Sequence, residues 1–249
     1  MTLNRYDFPG GDGTPLLIAH GLYGSARNWR AIAKRLAADR PVTTVDMRNH
    51  ADSPWFDDHD YPSMAEDLAQ VIAPGSNLLG HSMGGKASMV LALTRPKLIR
   101  KLIVADIAPV AYDHDPSNLI DAMRSLDLSL IDSRTSASAQ LEAVIEEEPV
   151  RAFILQSLDV AEGRWRLNLD VLEKEMPKIV GFPDIDGVFE GPTLFLHGGE
   201  STYVLREYRE RIKTLFPNAV FAKIPGAGHW LHAEKPREFM AAVDAFLKA

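Results

Sequence analysis

Six short apolar runs recur along the chain: Leu16 to Ala19, Val42 to Val45, Asn77 to Leu79, Leu102 to Ala105, Thr193 to Leu196 and Val220 to Ile224. Their length suits strands, and their continuity suits a parallel sheet covered on both faces. Helix-period stretches lie between them. Ser25 is placed to cap a helix over Ala26 to Ala38, Ser63 one over Met64 to Ile72, and a third over Met83 to Thr94 ends before Pro96. The alternation predicts an α/β fold with a mostly parallel central sheet flanked by helices. One stretch departs from it. From about Ala111 to Glu190, short helical patterns follow one another around Asp115 to Leu128, Ser136 to Glu148, Val150 to Leu158 and Asn168 to Glu175, with no convincing strand. We therefore expect a core domain made of residues 1–110 and 191–249, with 111–190 inserted as a helical cap.

Charge sharpens that boundary. Residues 111–190 carry 17 acidic and 7 basic side chains and the rest 17 acidic and 20 basic, so the acidic excess of a chain with net charge −7 sits on the insertion. A solvated helical surface accounts for this; the sharper reading is an acidic lid that discourages highly anionic substrates. No Lys/Arg cluster interleaves with aromatic residues, so nucleic acid is not an expected partner. The absence of cysteine excludes disulfides, thiolate metal sites and a cysteine nucleophile. Histidine spacings of the H-x-x-x-H or H-E-x-x-H type are missing, which gives no reason to expect a metal, and nothing calls for another cofactor. With no apolar leader core and no run of ~18 apolar residues, the expectation is a cytoplasmic protein without a membrane span, monomeric or homodimeric.

Against this background, Gly80-His81-Ser82-Met83-Gly84 stands out, because it follows a buried strand and opens a helix. That is the context of a nucleophile elbow, where small neighbours allow a tight turn and the helix N-terminus places partial positive charge under the hydroxyl. His20-Gly21-Leu22-Tyr23-Gly24 follows the first buried strand, where an oxyanion hole is built from main-chain N–H groups. Leu22 and Met83 are the assigned donors, with Tyr23 the alternative, and His20 is read as structural. His229, in Gly226-Ala227-Gly228-His229-Trp230, lies on a loop after the last strand and can reach the serine as general base; His232 is the alternative. The acid is harder to place. A hydrolase built this way commonly carries it after the strand ending at Leu196, yet the position that would hold Asp is Ser201 and its neighbour is Glu200. Asp106, at the end of Val104-Ala105, stands one strand from the nucleophile and is assigned, with Glu200 kept as the alternative. The loop from Asp46 to Pro54 can shape the floor of the site, braced by Arg48 through backbone carbonyls. Pocket candidates are Leu22, Tyr23, Met83, Val110, Tyr112, Tyr203 and Trp230, any of which can equally be ordinary core.

These motifs together resemble the α/β-hydrolase superfamily over almost the full chain, and within it the small YbfF-type bacterial esterase group. The signatures are His20-Gly21-Leu22-Tyr23-Gly24-Ser25, Asp46-x-Arg48-Asn49-His50, Gly80 to Lys86, Asp106-Ile107-Ala108-Pro109-Val110 and Gly226 to Pro236. Ala51 departs from the pattern, since the group usually has Gly there. The resemblance implies an α/β-hydrolase fold, a triad of Ser82, Asp106 and His229, and hydrolysis of short- to medium-chain acyl esters, for some relatives of acyl-CoA thioesters. A serine at the elbow argues against dehalogenase and epoxide hydrolase chemistry, which needs a carboxylate nucleophile. The alternatives are a thioesterase, a C–C bond hydrolase or acyltransferase with the same residues, and, in a different class, a non-catalytic small-molecule binding protein.

Overall fold

The computed structural model describes residues 2–249. Its first half runs β1 (Arg5–Phe8), β2 (Leu16–Ala19), α1 (Arg30–Leu36), β3 (Val42–Val45), α2 (Tyr61–Val71), β4 (Ser76–His81), α3 (Met83–Thr94) and β5 (Ile99–Ala105). The insertion holds α4 (Asn118–Ser125), α5 (Arg134–Leu141), α6 (Glu148–Ile154), the short pair β6 (Leu158–Asp159) and β7 (Arg164–Trp165), α7 (Leu169–Lys174) and α8 (Met176–Val180). The core resumes with β8 (Thr193–Gly198), α9 (Arg209–Leu215), β9 (Ala219–Ile224), α10 (Leu231–Glu234) and α11 (Pro236–Lys248).

Seven strands form one sheet in the order β1-β3-β2-β4-β5-β8-β9, parallel except for β1. β2, β4, β5 and β8 are buried almost throughout, as expected of strands covered on both faces. The apolar residues of α2, α3 and α9 join one core cluster, and those of α1 and α11 the cluster on the opposite face. The strand register decides where chemistry can occur. Ala19 pairs with Gly80, His81 with Ala105, and Ala105 with Leu196, so the loops leaving β2, β4, β5 and β8 emerge side by side at the carboxyl edge.

Four local expectations need correction. β1 was not anticipated, because Arg-Tyr-Asp-Phe is a half-exposed edge strand whose side chains lack a continuous apolar signal. Asp60, not Ser63, caps α2: its carboxylate accepts the Ser63 N–H at 2.9 Å, which puts Ser63 inside the first turn. After Ser25 the chain makes a 3-10 turn over Ala26–Trp29 before α1 begins, and the Ala26 N–H goes to Asp46 at 2.8 Å. The insertion also contains the β6–β7 hairpin, where no strand was expected. Among the described residues, no helix is long and apolar enough to cross a membrane.

The insertion packs around its own cluster, which includes Ile120, Met123, Leu141, Ile154 and Leu172 and takes in Tyr23 from the core. Part of its polar grip on the core runs through the loop after β3. The Ala51 N–H donates to Arg166 O at 2.7 Å, the Asn168 N–H to Asn49 O at 3.0 Å, and Arg166 pairs with Asp52. Ala51 makes its contact at φ +48, in the left-handed region where a Cβ costs roughly 1–2 kcal/mol. Ala51→Gly is therefore expected to stabilise the protein by about 1 kcal/mol, raising Tm by about 2–4 °C in a thermal melt. A lowered Tm would mean that the methyl group makes contacts worth more than the strain.

Candidate active site

The turn from β4 into α3 is forced tight by its glycines. A Cβ on Gly80 would lie 2.3 Å from Gly84 O, and one on Gly84 2.4 Å from His20 O, so helix and sheet touch through bare backbone. Ser82 sits at the apex with φ 51 and ψ −119, its own N–H bonded to Ala105 O at 3.0 Å. This conformation lifts the hydroxyl off the end of β4.

Three residues far apart in sequence meet there. His229 Nε2 lies 3.0 Å from Ser82 Oγ, and His229 Nδ1 lies 2.7 Å from Asp106 Oδ2. A carboxylate accepts, so Nδ1 carries the proton and Nε2 offers its lone pair to the serine hydroxyl. Asp106 is fully buried, at φ 53, one residue beyond β5. Its remaining oxygen accepts the Gly198 N–H at 2.9 Å, and Ser201 Oγ–H donates to Oδ2. A buried carboxylate with three donors is compensated for its lost hydration. Ser201, at the position where an acid is commonly carried, thus supports the carboxylate that ends the neighbouring strand. Glu200 is exposed, and its main chain bonds to Ala227 O. His232 lies flat on Trp29, ring centroids 4.3 Å apart, and burial lowers its pKa to about 3.

The loop after β2 lies against the serine; a Cβ on Gly21 would stand 3.2 Å from Ser82 Cβ. Within it the Tyr23 N–H donates to His50 Nε2 at 3.1 Å and the Gly24 N–H to Gly21 O. Tyr23 is thereby removed as an oxyanion donor. Among the described residues the Leu22 N–H has no acceptor, and the Met83 N–H opens α3, where a helix supplies none. His20 and His50 fix this loop. Nδ1–H of His20 donates to Gly21 O and its Nε2 accepts the Met47 N–H; His50 donates to Arg48 O. Burial lowers their pKa to about 4 and about 3, so both stay neutral and able to accept.

Arg48 is held differently from the expectation. Its guanidinium makes a bidentate pair with Asp67 and reaches Asp58, with one backbone carbonyl, Ser63 O, at 3.3 Å. Carboxylates outcompete carbonyls for a buried guanidinium. Neither Arg48 nor Lys86 is exposed at the mouth of the site.

A cavity of about 160 Å³ opens above Ser82. Leu22, Tyr23, Met83, Tyr112, Tyr203 and Trp230 line it, joined from the insertion by Leu119, Phe153, Ile179 and Val180. Val110 does not: its N–H turns back to Ala108 O and its side chain packs against the core. Tyr203 stacks on His229 at 4.0 Å and holds His114 through its hydroxyl, while Phe153 packs on Trp230 at 5.1 Å. Sequence reading gave His114 no place in this surface, and it did not foresee that His50 accepts the Tyr23 N–H or that Ser201 donates to Asp106, partnerships that only the fold creates.

Comparison with known proteins agrees with this architecture. The family model described as the alpha/beta hydrolase fold matches residues 14–236. The chain is 41% identical to the sn-1-specific diacylglycerol lipase ABHD11 of Mus musculus, over 97% of this chain and 84% of that one. It is 39% identical to Esterase YbfF of Escherichia coli (strain K12), over 94% and 93%. A solved structure titled marine microorganism esterase superposes with a TM-score of 0.93 at 40% identity, covering 98% of this chain and 99% of that one. With a family model spanning most of its length and esterases and lipases among its relatives, the protein belongs to the α/β-hydrolase family as a hydrolytic enzyme.

Proposed function

We propose that the protein is a serine carboxylesterase acting on short- to medium-chain acyl esters through a triad of Ser82, His229 and Asp106. The observation that carries this reading is the unbroken line of hydrogen bonds from Ser82 Oγ through both nitrogens of His229 to a buried carboxylate. His229 Nε2 takes the hydroxyl proton as Oγ attacks the ester carbonyl, and Asp106 stabilises the imidazolium. The N–H groups of Leu22 and Met83 hold the oxyanion. The imidazolium returns its proton to the departing alcohol, and water, deprotonated by the same histidine, releases the acid from the acyl-enzyme.

The size of the cavity supports the proposed acyl length. At about 160 Å³ with mostly apolar walls, it is smaller than the roughly 300 Å³ from which drug-sized pockets begin, and it suits an acyl group alone. Residues 111–190 serve as a cap, contributing one side of that cavity. The names of the relatives, esterase and diacylglycerol lipase, support ester substrates. A thioesterase would use the same triad, but Arg48 and Lys86 are engaged inside the protein and the cap is acidic, which leaves the CoA phosphates poorly matched. An intact relay weighs against a binding protein without activity.

A fluorophosphonate probe is expected to label the wild type and not Ser82→Ala; an unlabelled wild type would revive the binding-protein reading. Asp106→Asn should lower kcat about 10³–10⁴-fold with the circular dichroism spectrum unchanged, whereas Glu200→Gln stays within about twofold. The reverse pattern would move the acid to Glu200. For a matched series of acyl groups, each presented as p-nitrophenyl ester and as CoA thioester, kcat/KM is expected to collapse on every CoA substrate once leaving groups are allowed for. Comparable rates on CoA substrates would make the protein a thioesterase.

A further inference from the structure

Lys86 takes no part in the chemistry proposed above, although it lines the same cavity. It stands on the first turns of α3 with 1% of its surface exposed, and it forms no ion pair with a carboxylate of the described residues. Its Nζ donates instead to Val180 O at 2.9 Å and to Gly181 O. Two further donors converge on the same stretch: the Tyr61 hydroxyl of α2 donates to Ile179 O, and the Tyr112 N–H to Val180 O at 3.0 Å. Three consecutive carbonyls at the end of α8, which the helix itself leaves without partners, are thus taken by the core. The side chains of Ile179 and Val180 form part of the cavity wall.

We infer that Lys86 is a positioning residue: with Tyr61 it clamps the end of α8, and with it the wall of the acyl pocket, in a way that loosens as the solution is acidified. The inference rests on the proposed function only in calling the cavity an acyl pocket. The sign follows from desolvation. In the clamped state the amine has no counter-ion and little water, and burial lowers its pKa from 10.5 to about 7. When the end of α8 swings away, water reaches the amine and its affinity for a proton recovers. A neutral amine keeps two N–H groups, enough for both carbonyls, so losing the proton costs the clamp no bond. Above about pH 7 the open form binds more protons than the clamped one, so rising pH favours the clamp; below it both forms are protonated and the dependence flattens. The titratable groups around the amine are Tyr61 of α2, 5.6 Å from ring centroid to Nζ, Tyr112 at 4.8 Å, and His114 in the linker from β5 to the cap. What reaches Nζ from α8 and the glycine after it is main-chain carbonyl.

Hydrogen exchange at the amides of Tyr112, Ile179 and Gly181 reads the clamp directly, since these N–H groups are bonded to Val180 O, Glu175 O and Pro177 O. After correction for intrinsic rates, protection in the wild type is expected to rise by up to about tenfold per pH unit between about pH 7 and 9. Tyr61→Phe should lower protection about tenfold and keep that slope. Lys86→Met should abolish the slope and raise KM for a medium-chain p-nitrophenyl ester about tenfold, with kcat moving less than about threefold. Wild-type protection that ignores pH overturns the inference even where Lys86→Met does not fold. A Lys86→Met enzyme with lowered kcat and unchanged KM overturns it too, by placing the amine in the chemistry. Exchange needs no turnover, so a failed probe reaction at Ser82 would sink the catalytic reading and leave this test intact.

Discussion

Ser82 is held in a left-handed backbone conformation, and much of the surrounding structure exists to keep it there. Such a conformation costs on the order of 1–3 kcal/mol and persists only where neighbours over-determine it. Here they do so by contact. Gly80 and Gly84 let α3 press on the ends of β4 and β2, and the flanking strands β2 and β5 pin β4 on both sides. The strain is not confined to the serine. Tyr23, Asn49, Ala51, Ser82 and Asp106, the non-glycine residues with positive φ, all lie in loops leaving the carboxyl ends of β2, β3, β4 and β5. The amino-terminal ends of the same strands carry none. One edge of the sheet is therefore where tight packing elsewhere is converted into fixed positions for polar groups.

How much of this is legible in sequence depends on range. The buried strands and α3 announce themselves because continuous apolar runs and elbow glycines are local signals, and the charge step near residue 111 marks where the chain leaves the sheet. β1 escapes notice because an edge strand gains its stability from partners 34 to 40 residues away and not from its own pattern. The site divides in the same way. Ser82 and His229 carry glycine-flanked motifs, and Asp106 ends a strand. Ser201, by contrast, is informative only through a bond to a residue 95 positions earlier, and Lys86 through carbonyls 94 and 95 positions later. Ser63 shows the converse error, in which a good capping residue lost to Asp60 three positions before it.

The histidines show how one electrostatic rule sorts residues of the same type into different jobs. Of eight, His20, His50, His59, His81 and His232 are buried, and desolvation lowers the pKa of every one. Neutral rings are useful inside: His20 and His50 each accept one main-chain N–H and donate to one carbonyl, which fixes their tautomers and the loop after β2 together. His229 differs in its contacts: its Nδ1–H faces Asp106 and about a quarter of its side chain is open to the cavity, 23% by surface. In the proposed mechanism this ring becomes an imidazolium, which that carboxylate would stabilise, and the buried rings have no equivalent.

This arrangement has a thermodynamic consequence. A histidine whose folded pKa lies below its unfolded value binds fewer protons in the folded state. The stability linked to it is fully present above about pH 6.5 and is lost as the pH falls toward the folded value, by about 1.4 kcal/mol per pH unit for each such ring. His20, near 4, and His50 and His232, near 3, act in the same direction over the same window. Lys86 adds to them at higher pH, since its folded value near 7 lies below the ordinary 10.5. The groups that hold the loop after β2 and the end of α8 beside Ser82 are thus among those that make the fold lose stability on acidification. The neutrality of these supporting bases and the acid sensitivity of the fold are one property, and both follow from burying bases without counter-ions beside His229, whose ring faces a carboxylate.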